Sequence, residues 1–284
     1  MNRSSILIAS AVHKDAKIVD EFLKSLRGLD AEDLEISYCF VDDNESEASS
    51  ELLADFVKNT PRCKLLILPD IQKNLDWEKD DHSWTIRKIE KIAYLKNQII
   101  QYFLTGDFDH LFLIDSDLVL HPKTLLTLLD SKKEIISNIF WTKWQENSLP
   151  MPQVWLKDFY TMYDAHMLIP KSEEEIKFET MRFLSMLMVP GVYKVGGLGA
   201  CTLISRKALE AGVNFNLIYN ISFWGEDRSF CIRAAALGFE LYVNTVYPAF
   251  HIFRMEELDH LQDWYERQKL NPLSAKSDGK ESEL

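Results

Sequence analysis

Residues 110–117 read HLFLIDSD, a four-residue apolar run from Leu111 to Ile114 that ends abruptly in Asp115-Ser116-Asp117. A short, fully apolar run bounded by polar residues predicts a strand buried on both faces, as in the middle of a parallel sheet. In such sheets ligands bind beyond the carboxyl ends of the strands. Two carboxylates spaced i, i+2 at that point can reach a hard divalent cation and the ribose or phosphates of a nucleotide. The competing reading is a solvated turn whose acids cap the next helix.

Working outward, residues 5–12 (SILIASAV) read as a buried strand. Ile18, Val19, Phe22, Leu23 and Leu26 have helical spacing, with Gly28 as the stop. Residues 34–41 form a second strand, residues 47–58 a helix, and residues 64–68 a third strand closed by Pro69. This βαβαβ alternation predicts a parallel sheet with helices on both faces. Residues 70–84, with Trp77 and Trp84, read as a loop, and a long helix is expected over 86–104. Beyond the Asp-Ser-Asp run, Pro122 is expected to open a helix in its first turn, reaching residue 130. A strand over 134–141 follows. Residues 142–190 are the hardest to assign; they suggest a strand near 153–156 and a helix near 172–187. Four glycines (191, 196, 197 and 199) then precede the apolar strand ACTLIS. Further on, helices are expected at 206–211, 226–237 and 256–268, with a strand over 239–246. The polar tail 271–284 is expected to be flexible.

Composition bounds the function. The chain has 284 residues, 46% hydrophobic, which is enough for a sizeable core. Its net charge of −12 argues against nucleic-acid binding through general phosphate attraction. It leaves room for a nucleotide, because a metal can supply positive charge inside an acidic site. Cys39, Cys63, Cys201 and Cys231 include no CxxC pair and read as buried reduced thiols. The N-terminus lacks a signal-peptide pattern, and no stretch approaches the ~20 apolar residues of a membrane span. A soluble, cytoplasmic protein is expected, able to dock at a membrane through a partner.

Three further features carry chemistry. Asp42-Asp43 closes the second strand, where one acid can shape an Asx turn and the other accept a hydrogen bond from a base N–H. Trp224-Gly225-Glu226-Asp227 opens a helix: the acids suit its dipole, and one of them suits a general base for an attacking hydroxyl. Gly225 would let an acceptor approach, and Trp224 offers a flat face to a sugar ring. His251, in YPAFHIF, reads either as a core histidine or as a ligand for Mn²⁺ beside carboxylates. The aromatic-rich stretch 141–163 suits either carbohydrate stacking or loops pinned over a core.

The order of these features resembles GT-A glycosyltransferases, particularly the family 2-like members. Four stretches carry the resemblance: ILIASAVHKDAKIVDEFLKSL, YCFVDDNESE, KIAYLKNQIIQYFLTGDFDHLFLIDSDLVLHP, and GACTLISRKAL with FWGEDRSFCIRAAALGFELYVNTVYPAFH. It implies an α/β GT-A fold, a Rossmann-like mixed sheet flanked by helices. Residues 1–120 would form the nucleotide-sugar half, 121–255 the acceptor half and 256–270 a C-terminal helix. It implies Asp43 and Ser10 at the base, and Asp115 and Ser116 against the donor, with Asp115 on the ribose or on a water of the ion. Asp117 and His251, with Asp115, would ligate Mn²⁺ or Mg²⁺. Arg87, Lys91 and Asn97 would touch the base or diphosphate. Asp227 matches the catalytic base of inverting members, and Glu226 would place the acceptor. A UDP-sugar donor and a glycan, lipid-linked saccharide or protein acceptor follow, within the hexosyltransferase class.

The chain departs from the family at Lys96-Asn97, where many relatives have Arg-Asn, and at Val12-His13, where Tyr-Asn is usual. Lysine cannot reproduce a bidentate guanidinium contact. Two other readings are a sugar-phosphate nucleotidylyltransferase and an inactive nucleotide- or sugar-binding module. The first typically has a glycine-rich basic loop after strand one, and SAVHKDAKIVD contains no glycine.

Overall fold

A computed structural model describes residues 3–31, 33–67, 85–145, 147–222 and 225–269. The loop expected over 70–84, Trp224 and the tail lie outside these residues. In chain order the elements are β1 (Ser4–Val12), α1 (Ala16–Arg27), β2 (Leu34–Asp42), α2 (Glu47–Asn59), β3 (Cys63–Leu66), α3 (Ile86–Thr105), β4 (His110–Leu113), β5 (Leu118–Val119), α4 (Thr124–Asp130) and β6 (Ile135–Thr142). They continue as β7 (Met151–Pro152), β8 (Val154–Trp155), α5 (Glu173–Leu187), β9 (Val192–Val195), β10 (Gly197–Leu198), β11 (Thr202–Ser205), α6 (Arg206–Glu210), α7 (Glu226–Ala236) and β12 (Leu241–His251). A 3-10 turn (Met255–His260) leads into α8 (Leu261–Lys269).

The main sheet runs β3-β2-β1-β4-β11-β6-β12-β5. β1, β2, β3 and β4 are mutually parallel, and β11 is antiparallel to both β4 and β6. β12 is parallel to β6. The sheet is therefore mixed: β11, reversed between β4 and β6, leaves β6 and β12 pointing the same way as β1–β4, and the short β5 is reversed again beside β12. The carboxyl ends of six strands, with the entry to β11, share one edge.

Alternation within β1 shows why its sequence is continuously apolar. Ile6 and Ile8 pack with Phe22, Leu53 and Phe56 of α1 and α2, whereas Leu7 and Ala9 pack with Ala93, Ile99 and Phe103 of α3. Helices cover both faces, so both parities are buried. Side-chain oxygens fix the helix starts: Asp15 Oδ1 accepts from Lys17 N–H at 3.0 Å, Thr85 Oγ1 accepts from Lys88 N–H at 3.3 Å, and Ser172 and Glu175 form a capping box for α5. Gly238, at φ 85°, ends α7 in the left-handed conformation expected of that residue. All four cysteines are free, with Cys39, Cys201 and Cys231 buried and Cys63 half-buried.

Three expectations need correction. Pro122 lies in the turn before α4 rather than in its first turn; the helix begins at Thr124, and the Pro122 carbonyl accepts from Asp30 N–H at 2.9 Å. The last strand extends from residue 241 to 251, so His251 lies within it rather than beyond it. Its register with β6 shifts between Asn244 and Ala249, and Asn138 Nδ2 donates to the Tyr247 carbonyl at 2.9 Å across this bulge. The segment expected as helix over 256–268 begins as a 3-10 turn, and the α-helix starts at Leu261. Among the described residues no helix is long and apolar enough to cross a membrane.

Candidate active site

The shared sheet edge collects the polar residues singled out above. After β4 the chain turns through Asp115-Ser116-Asp117 into the two-residue strand β5, which pairs with the end of β12: His251 opposite Leu118, Phe250 opposite Val119. This pairing, with Ile252 N–H donating to the Asp117 carbonyl at 2.8 Å, brings together side chains far apart in sequence. His251 Nε2 lies 3.3 Å from Asp117 Oδ2. Thr142 Oγ1, at the end of β6, lies 2.8 Å from His251 Nδ1 and orients the ring. Lys14, just past β1, places Nζ 2.9 Å from the same Asp117 oxygen. Burial pushes the Asp117 carboxyl up, but His251 and Lys14 outweigh it and hold the group well below the usual carboxylate range.

A second group forms beyond β2. Asp42 Oδ1 accepts from the Asn44 backbone and side-chain amides at 3.1 and 2.8 Å, which makes the turn. Asp43 faces the other way. Its Oδ1 is 2.6 Å from Nζ of buried Lys91, and its Oδ2 is 3.7 Å from His13 Nδ1, a ring nitrogen that also contacts the Asp43 carbonyl. Burial raises the Asp43 carboxyl, opposed by Lys91. His13 N–H donates to Ser116 Oγ at 3.3 Å and ties this group to the Asp-Ser-Asp turn.

The third group is built on α3 and α7. Lys96 Nζ, on a residue only 5% exposed, lies 2.6 Å from Glu226 Oε1, 3.1 Å from Asp227 Oδ1 and 4.9 Å from the centre of the Phe215 ring. Burial pushes its ammonium down, but Asp227, Glu226 and Asp115 together carry it well above its ordinary value. Asp227 is pushed up to about 7, first by burial, then by Glu226 and Asp115, against the pull of Lys96. Its side chain keeps 27% of its surface open to water. Solvent there eases the burial effect and screens the neighbouring charges alike. Gly199 makes room: a Cβ there would stand 3.3 Å from Asp227 Oδ2. Asp115 joins the groups. It is exposed to water, yet it sits low in a crowded cleft, where burial raises its carboxyl, Lys96 and His251 oppose, and Asp117 and Glu226 raise it further.

A latch closes this end. Arg228 holds Asp158 in a paired contact, Nε to Oδ1 at 2.9 Å and Nη2 to Oδ2 at 3.0 Å, and also contacts the Ser222 carbonyl. The latched loop carries Tyr160, whose ring packs on Trp155 at 4.5 Å between centroids. Gly225, at φ 72° and ψ 155°, opens α7 in a region essentially reserved for glycine. A Cβ there would stand 3.0 Å from the Tyr160 hydroxyl. Gly225→Ala is expected to lower stability by ~1–3 kcal/mol, the usual cost of a side chain forced into such a conformation. Urea unfolding measures it, and an unchanged midpoint would contradict this account of the turn.

Not every residue expected at the site arrives there. Ser10 is completely buried, and its hydroxyl contacts the Ala11 carbonyl; His13 and Lys14 are what β1 delivers to the cleft. Asn97 fastens the 213–217 loop, its Oδ1 accepting from Phe215 N–H at 2.8 Å and its Nδ2 donating to Asn216 Oδ1 at 2.8 Å. Arg87 is exposed on the first turn of α3.

No protein-family model matches the chain, and no curated protein is significantly similar to it in sequence. Solved structures do match. The mannosyltransferase PcManGT from Pyrobaculum calidifontis, in complex with GDP-Man and Mn²⁺, aligns with a TM-score of 0.53 at 11% identity, over 99% of this chain and 66% of that one. S. aureus TarS aligns with a TM-score of 0.51 at 14% identity, over 94% of this chain and 40% of that one. The chain has a GT-A-like glycosyltransferase fold. It spans about two thirds of the mannosyltransferase's length and less than half of TarS, and at these identities the likeness speaks for the fold alone.

Within a GT-A-like fold the donor set can be tested for a metal. Among the described residues no group of three or more His, Cys, Asp and Glu could hold an ion alone. Asp117 and His251 offer one carboxylate and one imidazole on a common point, and an ammonium already stands there as a cation. That fits a divalent ion that takes its remaining ligands from substrate phosphates. Sequence reading missed Lys14 and Thr142 as contributors, and it noticed Lys96 only as a departure from Arg.

Proposed function

We propose that this chain is a glycosyltransferase that moves a sugar from a nucleoside diphosphate sugar to a hydroxyl acceptor with inversion. The observation that carries the reading is the division of labour among the acids in one cleft. Asp117 is held ionised between His251 and Lys14, while Asp227 is lifted to about 7 beside Lys96 and Glu226, with Asp115 between the two groups. An acid held low suits charge binding, and an acid poised near neutrality suits proton transfer.

In this reading Asp43, held by Lys91 and His13, accepts from the base, and Asp115 takes the ribose. A divalent cation on Asp117 and His251 would neutralise the charge that builds on the departing diphosphate. Asp227 removes the proton from the acceptor hydroxyl as that oxygen attacks the anomeric carbon and the bond to the diphosphate breaks. Lys96 keeps Asp227 and Glu226 in place. Tyr160 and Trp155 border the acceptor side. UDP is the nucleotide the family resemblance implies, and the acceptor is a glycan, a lipid-linked saccharide or a protein.

The test is a thermal-shift screen of UDP-, GDP- and TDP-sugars with Mn²⁺, followed by assay of nucleoside diphosphate release. A ligand at 100 times its Kd adds ~2.7 kcal/mol of stability, so the true donor should stand out. Slow release without acceptor is expected. Stabilisation by a nucleoside triphosphate, with pyrophosphate released from that triphosphate when a sugar phosphate is added, would instead support nucleotidylyl transfer. Binding without any release would support an inactive module.

A further inference from the structure

Lys14 occupies the point on Asp117 that a cation would need. Its Nζ is 2.9 Å from Asp117 Oδ2, the same oxygen that lies 3.3 Å from His251 Nε2. The contact is built into the backbone. Lys14 N–H donates to Asn44 Oδ1 at 3.1 Å, and the Lys14 carbonyl accepts from Ser49 Oγ at 2.9 Å. Asn44 is itself held by Asp42, and Ser49 is a fully buried residue of α2. The residue just past β1 is thus pinned between the turn after β2 and the first turns of α2. Its side chain crosses to the Asp-Ser-Asp turn and is 28% exposed along its length.

A divalent ion and an ammonium cannot share one carboxylate oxygen, because like charges at contact distance repel. An arriving ion must therefore displace Lys14, and alone it offers the ammonium no new partner. A nucleoside diphosphate does offer one, since its oxygens accept from the ammonium and ligate the ion together. Lysine suits such a move: it is a compact point charge on a flexible four-carbon stem.

Resting on the cation-site reading above, we propose that Lys14 is a tethered ammonium that holds the cation position on Asp117 until a nucleoside diphosphate arrives, and then passes to the diphosphate. Metal and nucleotide consequently bind with positive cooperativity, and the coupling is reciprocal.

The experiment measures Mn²⁺ binding to the full chain by electron paramagnetic resonance of the free ion, with and without UDP or GDP. In the wild type the nucleotide is expected to raise Mn²⁺ affinity by at least ~10-fold, within the usual range of coupling between sites. Lys14→Met is expected to bind Mn²⁺ alone ~10-fold more tightly than the wild type and to lose most of the coupling. Asn44→Ala keeps the charge but loosens the tether; it is expected to raise lone Mn²⁺ affinity by ~3-fold, the equivalent of one modest hydrogen bond, and it serves if the first variant fails to fold. Unchanged Mn²⁺ affinity in these variants would overturn the role of Lys14 and leave the cation site standing. Absence of Mn²⁺ binding in every form, with nucleotide still bound, would overturn the cation site itself.

Discussion

Asp227→Asn is expected to lower sugar transfer by at least ~10²-fold, the low end for a positioned general base, and to leave binding of UDP or GDP with Mn²⁺ intact. Asparagine keeps the shape of the side chain and can still accept from Lys96, but it cannot take a proton from a hydroxyl. The nucleotide side should be unaffected, because Asp43, Lys91 and His13 make their contacts with one another and with the Asp-Ser-Asp turn. The wild-type kcat/KM should climb with pH through an apparent value of about 7, and the residual activity of the variant should lack that limb. The same lifted carboxyl affects folding. Asp227 goes from 3.8 to about 7, so the folded chain keeps a proton that the unfolded chain releases in between. Its contribution to stability is fully present below 3.8 and is lost as pH rises through about 7. The substitution removes that slope. Steady-state kinetics, titration calorimetry with UDP or GDP, and denaturation at several pH values separate these effects. Near-normal turnover would sink the base assignment.

What the sequence disclosed follows the range of the signals. β1, α1, β2, α3 and β4 were legible because each is a local pattern, apolar runs closed by turn residues or apolar positions at helical spacing. Asp115 to Asp117 was legible because the apolar run stops where a sheet edge must lie. The far half of the sheet was less so. β5 has two residues, and its existence depends on pairing with β12. β12 read as ending before Pro248, since a proline argues against a continuing strand. The strand passes it through a bulge held by Asn138, which the local pattern does not contain.

The site divides in the same way. Asp43, Asp117, Glu226, Asp227 and His251 stand at element ends, where polar residues after apolar runs attract notice. The cations are different. Lys91 was expected at the base or diphosphate and Lys96 stood out only where many relatives have Arg, yet both are buried against carboxylates that sit 48 and 130 residues away, at Asp43 and Glu226. Helical spacing describes which face a residue shares and says nothing of what arrives on that face. Lys14 gave no signal beyond its position just past β1, and that position is what places it on Asp117.

The buried ion group on α3 and α7 makes the second strong prediction. Lys96→Met is expected to destabilise the fold by ~3–5 kcal/mol, because removing one partner of a buried pair leaves uncompensated charge. Glu226, 3% exposed and 2.6 Å from the ammonium, would carry most of that penalty. A domain is commonly stable by only ~5–15 kcal/mol, so the single variant stands near the limit of folding. The pair Lys96→Met with Glu226→Gln should recover much of the loss, since the methionine packs on Phe215 and the stranded charge is gone. In whichever variant folds, Asp227 loses the cation that pulls its carboxyl down, so the acidic limb of kcat/KM should move above about 7. A role in packing alone would change stability and leave the pH limb where it was. Wild-type stability in Lys96→Met together with an unmoved limb would show that the ammonium neither supports the fold nor tunes the base. Recovery of stability in the double variant with a raised limb would establish that one lysine does both, and that the same buried charge holding α3 to α7 sets the pH at which Asp227 can accept a proton.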